Sequence, residues 1–299
     1  MSWIALTVRT APQDAETVGA ALVDLGSVGT WEQEPGVVTA YFPEASSPNE
    51  LQESVEVLIG SLSYDGLTVI NVELTPAEDW ARAWKASFGP LPVSPRLVIV
   101  PSWVSYEPSP DQRLVVLDPG MAFGTGHHAT TRRCLQALDE RLAFRPAARV
   151  LDLGTGSGIL AIAAARLGAG RVVAWDIDPE ASAVAEANVA RNGVDLIVAV
   201  TDERTARASG PYDLVVANLT AEVLVEVLPL IASLLAPGGE CVLSGILADP
   251  SSTGPSRETL VRDALGERLP VCGRWEDGEW VTLLARNTIE TPHAGAPSF

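Results

Sequence analysis

Gly154-Thr155-Gly156-Ser157-Gly158 and Asp176 carry the chemistry most readily read from this chain, the recognition of a nucleoside. The glycine run follows an apolar stretch that reads as a strand, Arg149–Leu153, and leads directly into an alanine-rich helical stretch. Glycine adopts backbone conformations closed to other residues and puts no side chain in a ligand's way. Trp175-Asp176-Ile177-Asp178 follows about twenty residues later, near the span at which an acidic side chain takes both hydroxyls of a ribose. A dinucleotide fingerprint needs glycine at the sixth position, which here is Ile159. A pyrophosphate favours nearby basic charge, and Gly154–Ala165 has no Lys or Arg. S-adenosylmethionine has no phosphate and carries a sulfonium cation, so an uncharged loop in an acidic chain suits it better. A tight turn with no ligand is the plainer alternative, and it ranks lower because glycines and acid occur together.

Two further segments bear polar groups. Ala217-Asn218-Leu219-Thr220 ends a strand starting at Asp213, so Asn218 faces the same crevice as Gly154 and Asp176 in a doubly wound sheet. Its amide offers one acceptor and two donors, suited to a substrate amine or to the cofactor's amino-acid part. A turn asparagine bonding its own backbone is the alternative. The glycine-bearing run from Asp118 to Thr131 includes His127 and His128 and ends where a helix begins, so Thr130 or Thr131 is expected as its cap. The two histidines lack further ligands at metal-binding spacing and are expected to position the loop or lie at the surface.

These groups need elements to hold them. The first part of the chain reads β-α-β-β-α-β: strands Trp3–Val8, Val28–Glu32, Val37–Phe42 and Leu67–Leu74, helix Asp14–Leu25, and a helix begun by Asn49 with Val55, Leu58 and Ile59 inward. That order is the ferredoxin-like plan. Thr75-Pro76 is expected to open a helix, Ala77–Phe88, with Trp80, Trp84 and Phe88 on one stripe, and Pro90, Pro92 and Pro95 a stiff connector. Leu97–Val100 and Arg113–Leu117 read as strands. From Thr130 helices and strands alternate, ending in a hairpin, Val271–Trp275 and Trp280–Ala285. Alternation of this kind predicts an α/β fold: a doubly wound, mostly parallel sheet of seven strands with helices on both faces. The expected boundaries are 1–74 for the small α+β domain, 75–95 for the linker and 96–286 for the large domain. The proline-bearing tail, 287–299, is expected to be disordered.

The chain has 299 residues and 47% hydrophobic content, enough for a large core. With 20 basic against 38 acidic residues its net charge is −18, which disfavours nucleic acid and anionic membrane and favours a basic protein partner. Cys134, Cys241 and Cys272 lie far apart, with no paired spacing, as expected of reduced thiols in a cytoplasmic protein. No basic-then-apolar leader opens the chain. No apolar run reaches the roughly 20 residues that span a bilayer. Neither a metal site nor a hydrolase signature is expected.

The ordered set DPGMAFGTGHHATT, LDLGTGSGILAIAA, DIDPEA, NGV, VANLTAE and LSGIL resembles the bacterial ribosomal protein L-eleven methyltransferases, the PrmA family. Glu78-Asp79-Trp80 with Trp84-Lys85 matches that family's interdomain segment. The resemblance implies a Rossmann-like, S-adenosylmethionine-dependent methyltransferase acting on the α-amino group and lysine side chains of that large-subunit protein. The small domain would recognise the substrate and the Trp80–Phe88 segment would let the domains reorient. By motif position Thr131, Gly154, Asp176 and Asn218, with Gly156 of the glycine run, would contact the cofactor. Phe123, Gly124 and Gly126 would belong to a loop closing over it. Asn218 is the candidate catalytic residue, orienting the lone pair of the acceptor nitrogen. Thr220 and Ala129 depart from residues common in relatives, and the tail after Arg286 is unlike the family.

Three other readings stay open at this point: a lysine methyltransferase of another protein, such as an electron-transfer flavoprotein subunit; a cofactor-binding interaction protein without turnover; and a nicotinamide dehydrogenase, which Ile159 disfavours. We expect a monomer.

Overall fold

The structure is a computed structural model that describes residues 2–27, 29–43, 68–76, 85, 88–118, 126, 128–248 and 256–289. The chain divides into two compact units, Met1–Gly89 and Pro90–Phe299.

The first unit contains β1 (Ser2–Arg9), α1 (Ala15–Asp24), β2 (Gly29–Glu34), β3 (Val37–Pro43) and β4 (Thr68–Pro76). Its sheet runs β2-β3-β1-β4, with every neighbouring pair antiparallel, which is the ferredoxin-like order. Alternation along β1 sends Ile4, Leu6 and Val8 to one face, where they pack with Val38, Ala40 and Phe42 of β3 and with Val18 and Leu22 of α1. Thr75 and Pro76 end β4, opposite Trp3 and Ser2, and of the helix expected over Ala77–Phe88, Lys85 is helical while 77–84, 86 and 87 lie outside the described residues. Proline is tolerated there because it sits at the last position of an edge strand. The expected helix at Asn49 and the stripe residues Trp80 and Trp84 lie outside the described residues.

The second unit begins with a three-stranded sheet: β5 (Leu91–Ser94), β6 (Leu97–Val100) and β7 (Arg113–Val116), in the order β5-β6-β7. The proline-rich stretch expected as a connector is therefore partly strand. Pro92 has no N–H to donate, and β5 at the sheet edge leaves one side free of that demand. The main sheet follows, built from α2 (Ala129–Phe144), β8 (Arg149–Leu153), α3 (Ile159–Arg166), β9 (Arg171–Trp175), α4 (Pro179–Arg191), β10 (Val198–Thr201), α5 (Glu203–Ala208), β11 (Tyr212–Asn218), α6 (Ala221–Leu234), β12 (Leu235–Leu247), α7 (Arg257–Leu265), β13 (Val271–Asp277) and β14 (Trp280–Arg286). Seven strands run β10-β9-β8-β11-β12-β14-β13. All neighbours are parallel except the pairs made by β14.

Both faces of this sheet are covered. Val150, Val172, Leu214, Val216 and Val242 pack with Leu135 and Leu138 of α2, Ile162 of α3 and Val189 of α4. Their chain neighbours Leu151, Val173, Val215 and Cys241 point the other way, toward Ala206 of α5, Leu224 and Ile231 of α6 and Val261 of α7. Strands buried on both sides need unbroken apolar runs, which is why they read as VVAW and LVVA. Each fully buried Val or Leu contributes roughly 1.5–3 kcal/mol.

The C-terminal boundary differs from expectation. Asn287 is buried; its Nδ2 donates to the carbonyls of Leu235 and Ala236, both at 3.1 Å, and its backbone pairs with Gly238 and Gly239. Asn287 is thus part of the packed unit, and residues 290–299 lie outside the described ones.

Candidate active site

Strand register brings the polar groups together. Leu153 of β8 lies between Trp175 of β9 and Ala217 of β11, so the next residue on each strand, Gly154, Asp176 and Asn218, emerges at one end of the sheet. The glycine loop is tied to Asp176 directly. Gly156 N donates to Asp176 Oδ2 at 2.8 Å, and Asp178 N donates to Oδ1 at 3.0 Å. Each carboxylate oxygen keeps further lone pairs for hydroxyl donors. Gly154 N and Thr155 N both donate to Trp175 O, which closes the turn.

Two glycines have distinct reasons to be glycine. Gly154 has φ +75°, and a Cβ there would stand 2.5 Å from Leu219 Cδ2. Gly158, at φ +81°, would meet Ala185 of α4 at 3.2 Å. The third glycine of the run therefore serves helix packing, aided by Asn188 of α4, whose Nδ2 donates to Ser157 O at 2.8 Å.

Asp152 was not singled out from the sequence, although an acid inside V-L-D-L was a signal. Its side chain is fully buried beneath the glycine loop. Oδ2 accepts from Thr155 Oγ1 at 2.6 Å and Ala161 N at 3.0 Å, while Oδ1 has no hydrogen-bond partner among the described residues. Burial pushes its pKa up to about 7, opposed by those two hydrogen bonds and reinforced by the charge on Asp176. The folded state thus keeps a proton that the unfolded chain releases near pH 4. Wild-type stability is expected to fall as pH rises from about 4 to about 7 and to level off above. Asp152→Asn keeps an acceptor and removes the charge, so it should gain on the wild type by on the order of 3 kcal/mol between about pH 4 and about pH 8. Urea unfolding at the two pH values measures this. A stability gap that stays constant with pH would assign the shift to another group.

Asn218 meets Thr131 across the crevice: Asn218 Nδ2 donates to Thr131 Oγ1 at 3.1 Å. Thr131 is 1% exposed and lies in the first turn of α2. The cap of that helix is His128 rather than either threonine, with Thr130 N donating to His128 Nδ1. A ring nitrogen here takes the place of the expected hydroxyl. Gly126 is buried at φ +85°, where a Cβ would strike Ile99 Cδ1 at 2.4 Å. Phe123 and Gly124 lie outside the described residues. Upstream, Asp118 accepts from Ser102 N at 2.7 Å, Ser102 Oγ at 2.9 Å and Arg191 of α4 at 2.9 Å. Ile177, next to Asp176, is 92% exposed, an apolar surface beside the carboxylate that sequence reasoning also passed over.

Residues 2–288 match the family model described as ribosomal protein L11 methyltransferase (PrmA). The chain belongs to this family. A ribosomal protein L11 methyltransferase of Pelotomaculum thermopropionicum is 37% identical over 313 aligned positions, covering 96% of this chain and 99% of the relative. That of Pelobacter propionicus is 43% identical, covering 83% and 81%. The crystal structure of a ribosomal protein L11 methylase from Lactobacillus delbrueckii subsp. bulgaricus superposes with TM-score 0.57 at 36% identity, over 68% of this chain and all of that one.

As a member of the L11 methyltransferase family the chain is an S-adenosylmethionine-dependent methyltransferase with the α/β fold expected from its sequence. The crevice fits that cofactor. Gly154, at φ +75° and packed against Leu219, turns the chain at the strand end, Asp176 presents a carboxylate beside it, and no cationic side chain occurs from Gly154 to Ala165.

Proposed function

We propose that this protein transfers methyl groups from S-adenosylmethionine to amines of ribosomal protein L11, with Asp176, Gly154, Gly156 and Thr131 as the cofactor-binding residues and Asn218 as the catalytic residue. The observation that supports this reading best is the emergence of Gly154 between Asp176 and Asn218 at one sheet end. The names of relatives aligned over nearly the whole chain support the substrate.

The cofactor supplies an activated methyl on a positively charged sulfur. What remains for the protein is alignment of the acceptor and exclusion of water. Asp176 takes the ribose hydroxyls on its remaining lone pairs, and Ile177 offers an apolar surface to the base. Gly154 and Gly156 let the backbone approach the rest of the donor. Asn218, its Nδ2 engaged by Thr131, turns its carbonyl oxygen to the acceptor N–H and so aims the lone pair. The acceptor must be neutral. An α-amine with a pKa near ~8 reaches that state far more readily than a lysine near ~10.4. Phe123, Gly124 and Gly126 are assigned to donor binding by motif position, and residues 1–74 to recognition of the substrate. The free thiols Cys134, Cys241 and Cys272 accord with work in the cytoplasm.

Incubation with methyl-labelled S-adenosylmethionine and purified L11 tests the reading. Label on L11, with mass gains in whole methyl steps, is expected. Label on a different protein from a ribosomal mixture would replace the substrate, and donor binding without transfer would remove the catalytic role.

A further inference from the structure

We propose that His128 and Trp280 are positioning residues for methyl transfer: together they fix the first turn of α2, so that Thr131 holds the Asn218 amide with its carbonyl oxygen left for the acceptor. The proposal rests on the role given above to Asn218.

An asparagine amide has one carbonyl and one amino end, and securing one end decides where the other faces. Thr131 Oγ1 secures the amino end at 3.1 Å. Thr131 in turn depends on the start of α2. His128 has extended backbone, φ −62° and ψ 137°, and its Nδ1 accepts from Thr130 N at 3.3 Å and lies 2.6 Å from Thr130 Oγ1. As the acceptor from Thr130 N, that nitrogen closes the cap.

Serine, aspartate or asparagine would cap a helix as well as histidine. A ring adds a second contact that those caps lack. Trp280 meets the His128 ring edge-on, with centroids 4.9 Å apart and planes at 64°. Trp280 begins β14, paired with Leu247 of β12 and Asp277 of β13, so the sheet holds it. A second tether lies two residues on. Thr282 and Ser244, both buried, share a 2.7 Å hydrogen bond, and Ser244 Oγ donates to Thr130 O at 3.4 Å. β14 thus grips the first turn of α2 at His128 directly, and at Thr130 by way of Ser244 of β12.

The test compares His128→Asn, His128→Ala and Trp280→Leu by kcat on L11, donor affinity and Tm. His128→Asn is expected to keep the wild-type Tm, because the cap acceptor survives, yet to lose roughly tenfold in kcat, since small misplacement near the reacting atoms slows transfer. Trp280→Leu should show a similar loss. In a Thr131→Val background, His128→Ala should cost less than about twofold more, because the link it acts through is already cut. Full kcat in His128→Asn, or losses that simply multiply, would reduce His128 to an ordinary cap and overturn the proposal. A readout free of activity is the Asn218 side-chain amide cross-peak in a nitrogen–proton spectrum, assigned by its loss in Asn218→Ala. It should shift in His128→Asn and Trp280→Leu, and an unmoved peak overturns the proposal even if L11 is not the substrate. Intact turnover in Asn218→Ala would instead remove the catalytic reading itself.

Discussion

Asn218→Ala should lower kcat on the order of 10²–10³-fold while Tm barely moves, because the side chain acts on the acceptor rather than on the fold. Asn218 is only half-buried, and among the described residues its side chain makes one hydrogen bond, to Thr131. Losing one neutral hydrogen bond costs about 1 kcal/mol of stability. Losing the carbonyl that orients the amine removes an interaction needed at the reacting centre, where alignment supplies much of the rate. Single-turnover rates with saturating donor separate that loss from any change in donor binding. Turnover near the wild-type value would remove Asn218 from catalysis.

Asp176→Ala should weaken S-adenosylmethionine binding by about 30–100-fold, measured by calorimetry. Two hydroxyl donors to a carboxylate make charge-assisted hydrogen bonds, together worth about 2–3 kcal/mol net once competition with water is counted. The variant also strips Gly156 N and Asp178 N of their acceptor, which loosens the turn that faces the donor. Asp176→Asn, which keeps one carbonyl acceptor, should lie between the two. Undiminished affinity in Asp176→Ala would dissolve the cofactor site as described.

Elements with chemical punctuation were legible in the sequence. Helix α4 is marked in the sequence at both ends, because Asp178 caps it, Pro179 fits its first turn and Gly193 follows its end. Strand β8 was equally plain, an apolar run stopped by a glycine whose φ of +75° admits little else. The six-residue α5, capped by Asp202, went unread because fewer than two turns carry no periodic signal. Leu91–Ser94 was hidden by Pro92, since tolerance of proline depends on an edge position that only the assembled sheet defines. At the site, residue types announced Gly154, Asp176 and Asn218. Their partners did not announce themselves. The Thr131–Asn218 contact joins residues 87 positions apart, and the His128 cap replaces a hydroxyl with a ring nitrogen. Asp152 looked like one polar residue in a strand until burial gave it its shifted proton affinity.

The seating of Asn287 sets a floor for trimming this chain. Cut after Ile289, the corner where β12 begins stays whole. Cut before Asn287, the carbonyls of Leu235 and Ala236 and the amide of Gly238 lose hydrogen-bond partners together. That corner adjoins the strand whose far end carries Ser244, so a cut made for convenience at one edge would be felt along the strand that braces the helix cap.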